Sequence, residues 1–370
     1  MTSATPYPAP HLLAWEITRT CNLYCAHCRA SAGRRHYDGE LSTKECLALV
    51  DDILAVGRPI LILSGGEPLL RDDFFTIARH AVGKGLRVVV GSNGTAITPE
   101  TAREMKRVPI SRLAISIDFP TPDLQDSFRG MQGAFRSAIN GIEYAIKAGV
   151  EVQLNCTITT RNVAYLEQLL SLAMEMGVVS FHPFLLVPTG RGKDLEKEEL
   201  PAAEYERVLH WLCEKQAELG ERISMKPTCA PHYMRVMHQM GVAPSHGGHG
   251  AGMNRVTRGC LVGTGFCFIS HLGQVQGCGY LDRPAGNIRE QSFSHIWWHS
   301  PLFQELRDLA LLEGKCGLCE FKKVCGGCRA RAYESTGDYL AEEPYCVYEP
   351  RKRQAGVEVG PKANEGCREW

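Results

Sequence analysis

The 370-residue sequence has no net charge and no long apolar run, and no secretory leader is expected from its first residues. Lysine plus arginine and aspartate plus glutamate both number 41, so no basic face for nucleic acid is expected. No run of about 18 apolar residues is present, which argues against membrane insertion. The first residues, MTSATPYPAPHLL, lack the basic-then-apolar order of a signal peptide. These absences predict a cytoplasmic protein without a nucleic-acid partner.

Cysteine, by contrast, is abundant, with 16 in the chain. Disulfides are uncommon in a reducing compartment, so this number of thiols favours metal sites. Three cysteines fall in residues 21–28 and eight in residues 260–346. Two separate metal-bearing regions are therefore expected.

From about residue 12 to residue 219 the sequence alternates short apolar runs with longer amphipathic stretches. The runs predict strands at residues 13–18, 60–64, 87–92, 112–117, 151–157 and 179–185. Helical periodicity occupies residues 43–56, 72–84, 99–106, 134–148, 163–176 and 203–218. Six strand–helix repeats predict an α/β fold with a parallel sheet, a barrel or part of one. In such barrels functional residues gather at the carboxyl ends of the strands.

Four segments are expected along the chain. Residues 1–240 would form the barrel with its adjoining helices, and residues 260–350 a small cysteine-rich domain that needs metal to hold its fold. Residues 241–259, rich in glycine and histidine, predict a flexible linker or a loop that orders over substrate. Residues 351–370 would form a polar tail.

Cys21, Cys25 and Cys28 form a C-x3-C-x2-C segment after the first predicted strand. Three thiolates can hold three irons of a 4Fe-4S cube and leave the fourth iron open to a ligand. A zinc site would need a fourth protein ligand, and His27 lies where it could not easily turn toward the same metal. The spacing therefore predicts a cluster suited to chemistry rather than to electron storage alone.

Gly65, Gly66, Glu67 and Pro68 follow the second predicted strand. Two glycines let a ligand approach the backbone, and an ammonium group would suit the exposed carbonyls and the Glu67 carboxylate. Alone, this segment could equally be a tight turn. Together with the C-x3-C-x2-C segment it resembles the radical S-adenosylmethionine (radical SAM) enzymes.

The resemblance covers roughly residues 12–190 and implies the partial (β/α)6 barrel of that family. It implies that the three cysteines hold the cluster, that the glycine turn cradles the methionine amino group and that the open iron binds SAM. Reductive cleavage of SAM would then give methionine and a 5′-deoxyadenosyl radical that takes hydrogen from substrate. Asn93, Ser116, Arg129 and Asn155 would contact the cofactor, and ordinary capping or strand-end hydrogen bonding is the alternative for each.

The eight distal cysteines resemble the SPASM extension of radical SAM enzymes. The resemblance implies two ligand sets for auxiliary 4Fe-4S clusters, namely Cys260, Cys267, Cys278 and Cys328, and Cys316, Cys319, Cys325 and Cys346. The gap between Cys325 and Cys328 is tighter than is usual in the family, so one or two auxiliary clusters are expected. Zinc in the C-x2-C-x5-C-x2-C segment is the alternative.

The other internal cysteines fall into two classes. Cys46, Cys156 and Cys213 lie in helix or strand patterns and are expected to be buried small hydrophobes. Cys229 lies in KPTCAPHY between two prolines, a segment that predicts either a substrate-facing loop or an inert connection.

Four segments closely resemble one subgroup: LLAWEITRTCNLYCAHCRAS, KPTCAPHY, GCLVGTGFCFISHLGQVQGCGYL and CGGCRARAYESTGDYLAEEPYC. That subgroup is the heme-biosynthetic radical SAM enzymes, in particular the heme synthase of the siroheme-dependent route. The resemblance implies oxidative decarboxylation of two propionates of iron-coproporphyrin III to vinyls, giving heme b. It also implies a low-potential electron donor of the flavodoxin or ferredoxin type. Three alternatives stay open: heme d1 biosynthesis, maturation of a peptide or protein, and a non-catalytic iron–sulfur or heme-binding scaffold.

An iron-porphyrin substrate would need cations for its carboxylates and could take an axial imidazole at its iron. The candidate cations are Arg19, Lys226, Arg255, Arg258, Arg329 and Arg331. The candidate imidazoles are His182, His232 and the histidines within residues 246–249. A solvated surface charge or a structural histidine is the alternative for each.

Overall fold

The computed structural model describes residues 7–242 and 258–351. The strands within these residues are β1 Leu12–Thr18, β2 Ile60–Gly65, β3 Arg87–Ser92, β4 Arg112–Ser116, β5 Val152–Ile158, β6 Ser180–Leu185, β7 Ser224–Met225, β8 Phe266–Ile269, β9 Gln274–Cys278 and β10 Leu281–Asn287. They form one sheet in the order β10-β9-β8-β1-β2-β3-β4-β5-β6-β7.

Strands β1 to β6 lie in chain order, and each neighbouring pair is parallel. Leu13 is opposite Leu61, for example, and Leu61 is opposite Val88. These three side chains are fully buried, as expected of parallel strands covered on both faces. The predicted α/β fold with a parallel barrel sheet is confirmed.

Helices follow the strands and supply the outer layer. They are α1 Thr43–Val56, α2 Phe74–Gly83, α3 Pro99–Arg107, α4 Pro122–Arg129, α5 Ala134–Lys147, α6 Leu166–Glu175, α7 Ala202–Leu219, α8 His232–Met240, α9 Phe293–His299, α10 Pro301–Arg307, α11 Gly314–Leu318 and α12 Arg329–Thr336. Helix α1 begins with a capping box in which Ser42 and Glu45 each accept the other's backbone N–H. The six predicted helices are present, whereas α4 and α8 to α12, none longer than nine residues, were not predicted.

The C-terminal strands continue the barrel sheet. Strand β8 lies parallel to β1, with Leu13 opposite Cys267 and Trp15 opposite Ile269. Strands β9 and β10 then add in antiparallel orientation. The sheet therefore brings the C-terminal thiol region next to the first strand of the barrel.

Some sequence-based predictions fall outside the described residues. They concern most of the 241–259 loop and 351–370 tail, together with Arg255 and the histidines within 246–249. Among the helices that are described, none combines the length and apolarity needed to cross a bilayer. The limits of the four predicted segments stay predictions.

Candidate functional site

The three thiols of the C-x3-C-x2-C segment lie in one loop after β1. Cys21 and Cys25 are buried, Cys28 is half-buried, and all three are free. The peptide N–H of Leu23 donates to Cys21 Sγ and that of Ala32 to Cys28 Sγ, each at 3.4 Å. Such N–H···S bonds tune protein-bound iron–sulfur clusters. Burial raises the pKa of Cys21 to about 12, so its thiolate requires a bound cation, which an iron–sulfur cluster would supply.

Helix α4 supports this loop from one side. The peptide N–H of Tyr24 donates to Arg129 O at 3.1 Å. A Cβ on Gly130, whose φ is +66°, would lie 2.5 Å from Tyr24 O, so only glycine permits this approach. His27 stacks on Phe128 with centroids 4.6 Å apart, and burial lowers its pKa to about 4. His27 is therefore an uncharged ring packed on α4.

A buried ion pair lies next to the thiol loop. Arg129 Nη2 lies 2.5 Å from Asp118 Oδ2, and Arg129 Nη1 lies 3.8 Å from Cys25 Sγ. Asp118 Oδ1 also accepts the peptide N–H of Thr157 at 2.8 Å. The structure thus brings Arg129 to the thiol loop, and its contact with SAM stays a prediction.

The predicted glycine turn joins the ends of β1 and β2. A Cβ on Gly65 would lie 2.2 Å from Thr18 O, and one on Gly66 would lie 2.3 Å from Thr20 O. The close approach that demands glycine here is therefore between two stretches of backbone. Pro68 begins a short 3₁₀ helix after the turn.

Glu67 and Asn93 connect this turn to the thiol loop. The buried Glu67 carboxylate accepts hydrogen bonds from Ser92 Oγ at 2.9 Å and from the Asn93 N–H at 2.7 Å. Burial raises the pKa of Glu67 to about 7. Asn93 Nδ2 donates to Asn22 Oδ1 at 2.9 Å and lies 3.7 Å from Cys21 Sγ. The Glu67 side chain thus holds the ends of β2 and β3 together, and Asn93 reaches the loop.

A row of polar side chains crosses one face of the neighbouring strands β4, β5 and β6. Ser116 is opposite Asn155, and Asn155 is opposite His182. All three are half-buried, whereas their neighbours along each strand are buried. Lys226 directly follows β7 and lies beside this row. Burial, and then the positive charge of Lys226, lower the pKa of His182 well below its usual value. Two predicted cofactor contacts and two candidate substrate contacts therefore share one surface.

Three residues at the same rim were not singled out from the sequence. Glu16 is fully buried on β1, where Arg29 Nη2 lies 2.5 Å and His271 Nδ1 2.7 Å from its carboxylate oxygens. Burial opposes ionisation, but Arg29 and then His271 hold the pKa of Glu16 down at about 2. Arg29 also donates to Gly279 O at 3.2 Å. These contacts join the thiol loop to the C-terminal region. The sequence signal that could have revealed them is an acidic residue, Glu16, within the apolar strand β1.

One predicted set of C-terminal thiols is brought together in full. A surface pocket is lined by Cys316, Cys319, Cys325 and Cys346. The peptide N–H groups of Phe321, Gly327 and Glu343 donate to three of these sulfurs at 3.4–3.5 Å. Free thiols with N–H donors directed at them fit an iron–sulfur cluster.

The other predicted set is brought together only in part. Its three members that lie close together are Cys260, Cys278 and Cys328. Burial, and then the thiolates of Cys328 and Cys260, raise the pKa of Cys278 to about 12, while the Tyr280 N–H donates to Cys278 Sγ at 3.3 Å. Cys267 is fully buried on β8 near Arg307, and the charges of the other three thiols do not act on it. Over residues 7–242 and 258–351, no three Cys, His, Asp or Glu side chains are placed to hold a single metal ion.

Several residues predicted to contact substrate instead make contacts within the protein. Arg329 Nη1 donates to Tyr339 O at 2.9 Å, and Arg331 Nη1 lies 3.5 Å from Glu343 Oε1. His232 contacts the same Glu343 carboxylate. Arg329, Arg331 and His232 are all buried, so their contacts are internal.

The remaining candidate cations differ in their partners. Arg19 Nε lies 3.2 Å from Glu16. Arg258 is close to Cys260, and burial lowers its pKa. For Lys226 burial alone lowers the pKa, and no carboxylate of the described residues acts on it. Lys226 therefore has the strongest physical reason to take an anionic ligand.

Known proteins share both halves of this architecture. The sequence profile described as Radical SAM superfamily matches residues 15–173, and the SPASM profile, an iron–sulfur cluster-binding domain, matches residues 260–329. A Methanosarcina barkeri protein named AdoMet-dependent heme synthase is 50% identical over 349 residues, or 93% of this chain and 98% of the relative. A protein of the same name from Oleidesulfovibrio alaskensis is 47% identical, over 94% of this chain and 90% of the relative. The chain belongs to the radical SAM family.

Solved structures share the fold. Streptococcus suis SuiB bound to S-adenosylmethionine has a TM-score of 0.73 at 16% identity, over 92% of this chain and 77% of that chain. As a radical SAM enzyme with a SPASM domain, the protein binds a 4Fe-4S cluster with SAM and carries auxiliary iron–sulfur clusters. The predicted family and cofactors are confirmed, whereas the ligand assigned to each cysteine stays a prediction.

Proposed function

We propose that this enzyme makes heme b from iron-coproporphyrin III by converting two propionate side chains to vinyl groups. The observation that carries the proposal is the 50% identity to AdoMet-dependent heme synthase along nearly the whole of both chains. Because a fold alone does not decide a substrate, the site must also offer what this substrate needs.

The thiol loop and its surroundings are suited to the cofactors. The thiols of Cys21, Cys25 and Cys28 would hold three irons, while residues 65–68 and Asn93 border the loop and would contact SAM. When bound, the cluster and SAM supply hydrogen abstraction from substrate, and the auxiliary clusters supply an electron acceptor. The contribution of the protein is to hold these groups around one rim of the barrel.

Lys226 is the best-placed partner for a propionate carboxylate. The ammonium group of the half-buried Lys226 is costly to desolvate without an anion, and a substrate carboxylate would offset that cost through a charge-assisted hydrogen bond. The half-buried row of Ser116, Asn155 and His182 lies beside it and offers further polar contacts. The class of substrate supported by this surface is therefore anionic.

His182 supplies an uncharged imidazole at the same surface. Its Nε2 is buried without a hydrogen-bond partner among the described residues, and burial keeps its pKa well below neutrality. A neutral ring with an unpaired nitrogen can bond a carboxyl group or bind the substrate iron. His182 is therefore preferred over His232, which already contacts Glu343.

The proposed reaction balances at each propionate. One hydrogen atom leaves the β-carbon, the bond to the carboxylate breaks to release CO2, and a vinyl double bond forms between the two remaining carbons. One electron leaves with these changes and needs an acceptor. A separate low-potential donor, of the flavodoxin or ferredoxin type, would supply the electron consumed in SAM cleavage.

The test is turnover of a small substrate panel by anaerobically reconstituted enzyme with SAM and a low-potential reductant. Mass spectrometry should show a monovinyl intermediate and then heme b from iron-coproporphyrin III, with 5′-deoxyadenosine formed alongside. Iron-coproporphyrin III with esterified propionates is the matched control and should not react. Turnover of a heme d1 precursor or of a peptide in place of iron-coproporphyrin III would contradict the proposal.

A further inference from the structure

Cys229 is held in an unusual backbone conformation. It lies in the loop between β7 and α8, with a φ of +57° that residues other than glycine rarely adopt. Its carbonyl accepts hydrogen bonds from Tyr205 Oη at 2.9 Å and from Arg331 Nη1 at 3.1 Å. Strain of this kind persists only where the surroundings enforce it, and it is common at functional sites. The loop is therefore built to fix the direction of one side chain.

The contacts of this loop bring it to the partly assembled thiol group. Arg331, which donates to Cys229 O, lies one turn along α12 from Cys328. Gly259, next to Cys260, approaches the same loop so closely that a Cβ there would lie 2.7 Å from Pro231 O. Both Cys328 and Cys260 are thereby connected to the loop that carries Cys229.

Electrostatics describe the same arrangement. Among the described residues, the charged groups that act on the Cys229 thiol include Cys328, Cys278 and Cys260, which places these side chains near it. The Cys229 side chain is half-buried and is not part of a disulfide. Four thiols from four separate segments therefore share one environment.

Cys267 faces the other side of the sheet. Its neighbour on β8, Phe268, lies under the guanidinium of Arg29, 4.6 Å from Cζ to the ring centroid, and so faces the thiol loop. Since side chains alternate along a strand, Cys267 points away from that loop. It lies near Arg307, which also stacks on Trp297 with its Cζ 4.6 Å from the ring centroid. Cys267 is thus buried in an apolar layer behind the sheet.

We propose that Cys229, together with Cys260, Cys278 and Cys328, forms the thiolate set of one auxiliary iron–sulfur cluster, and that Cys267 is a packing residue. Four thiolates satisfy the four irons of a 4Fe-4S cube. Tyr205 and Arg331 donate hydrogen bonds to Cys229 O and so fix the backbone that carries the Cys229 thiolate. Because the inference concerns cluster ligation alone, it stands or falls independently of the porphyrin substrate.

The test compares cysteine variants of the full chain in a parent where Cys21, Cys25 and Cys28 are all alanine, so that only auxiliary clusters contribute. After anaerobic reconstitution, Cys229→Ala should alter or remove one of the two auxiliary signals in the electron paramagnetic resonance spectrum. Any iron lost should amount to at most about four per chain, one cube. Cys267→Ala should keep the iron content and spectrum of the parent, as should Cys213→Ala, the matched loss of a buried thiol on α7. An unchanged spectrum in Cys229→Ala, or an altered one in Cys267→Ala, would overturn the proposal.

A second variant guards against failure of Cys229→Ala to fold. Cys229→Asp offers an oxygen ligand in place of sulfur and should keep the iron of the parent while shifting the reduction potential of one auxiliary cluster. A redox titration followed by electron paramagnetic resonance measures that shift. Potentials identical to those of the parent would exclude Cys229 as a ligand.

Discussion

The thiol loop after β1 and the C-terminal thiol groups share one construction and differ in the number of thiols. In each region peptide N–H groups donate to cysteine sulfurs. A buried arginine–carboxylate pair also lies next to the thiols of each region: Asp118–Arg129 in the barrel and Glu343–Arg331 in the C-terminal region. The loop provides three thiols, whereas the C-terminal pocket provides four. Three thiolates leave one iron of a cube open to SAM, and four leave none. We therefore expect the loop to start the radical reaction and the C-terminal groups to end it by accepting an electron.

Removal of one thiol from the loop should have the largest effect. In Cys25→Ala only two loop thiolates remain, so we expect SAM cleavage to be abolished and the iron content to fall by about four per chain. Chromatography of 5′-deoxyadenosine and iron analysis measure both. Cys46→Ala, which removes a thiol that is also buried, from α1, should keep both. Cleavage of SAM at the normal rate by Cys25→Ala would rule out the loop as the cluster site.

The ion pair behind the loop should come next. Asp118→Ala leaves Arg129 buried without its carboxylate, and such a loss costs about 3–5 kcal/mol of unfolding free energy. Denaturant unfolding of the anaerobic holoprotein measures the change. Glu100→Ala removes the exposed partner of Arg103 and should alter stability little. Equal effects in the two variants would show that the buried pair has no special role.

Substrate affinity should respond to Lys226. Lys226→Met keeps the length of the side chain and removes its charge, so we expect the Kd for iron-coproporphyrin III to rise about 10- to 100-fold, the value of one charged hydrogen bond. Absorbance titration of the porphyrin measures the affinity. Lys84→Met, at an exposed lysine directly after α2, is the control and should bind normally. An unchanged Kd in Lys226→Met would remove this residue from the substrate site.

The last effect, a change of stability with pH, is expected from Glu67. Burial raises its pKa from 4.5 to about 7, so the folded protein keeps a proton that the unfolded chain has already lost. Between these values stability should fall as pH rises, by up to about 1.4 kcal/mol per pH unit. Glu67→Gln cannot titrate and should lack this slope. Unfolding free energies of both proteins across that range measure the difference, and parallel curves would contradict the assignment.

Most of the barrel could be predicted from the sequence because its signals are local. Apolar runs such as residues 87–92 match the strand Arg87–Ser92, since a parallel strand buried on both faces is apolar throughout. The C-x3-C-x2-C loop and the pocket of Cys316 and Cys319 are likewise closely spaced in the chain. Short spacing brings thiols together almost regardless of the rest of the fold.

The features of the site that the sequence did not predict depend on side-chain orientation and on contacts between residues that are distant in the chain. Family spacing groups Cys267 with Cys260, but strand alternation turns Cys267 to the opposite face, because Phe268 faces the thiol loop. Glu67 suggested a partner for an ammonium group, yet its carboxylate accepts hydrogen bonds from the end of β3. That no carboxylate within residues 7–242 and 258–351 acts on Lys226 likewise emerges only from the packed structure.

The most direct test of the central claim is the ratio of 5′-deoxyadenosine formed to propionate decarboxylated, with iron-coproporphyrin III as substrate. In the wild type we expect one 5′-deoxyadenosine for each propionate decarboxylated, because each hydrogen abstraction is followed by loss of CO2 and of an electron. Cys319→Ala removes one thiol of the C-terminal pocket but leaves the barrel loop intact. We expect it still to form 5′-deoxyadenosine while decarboxylation nearly stops, so that the ratio rises far above one. A Cys319→Ala variant that keeps the wild-type ratio at the wild-type rate would contradict the division of the reaction between the two regions.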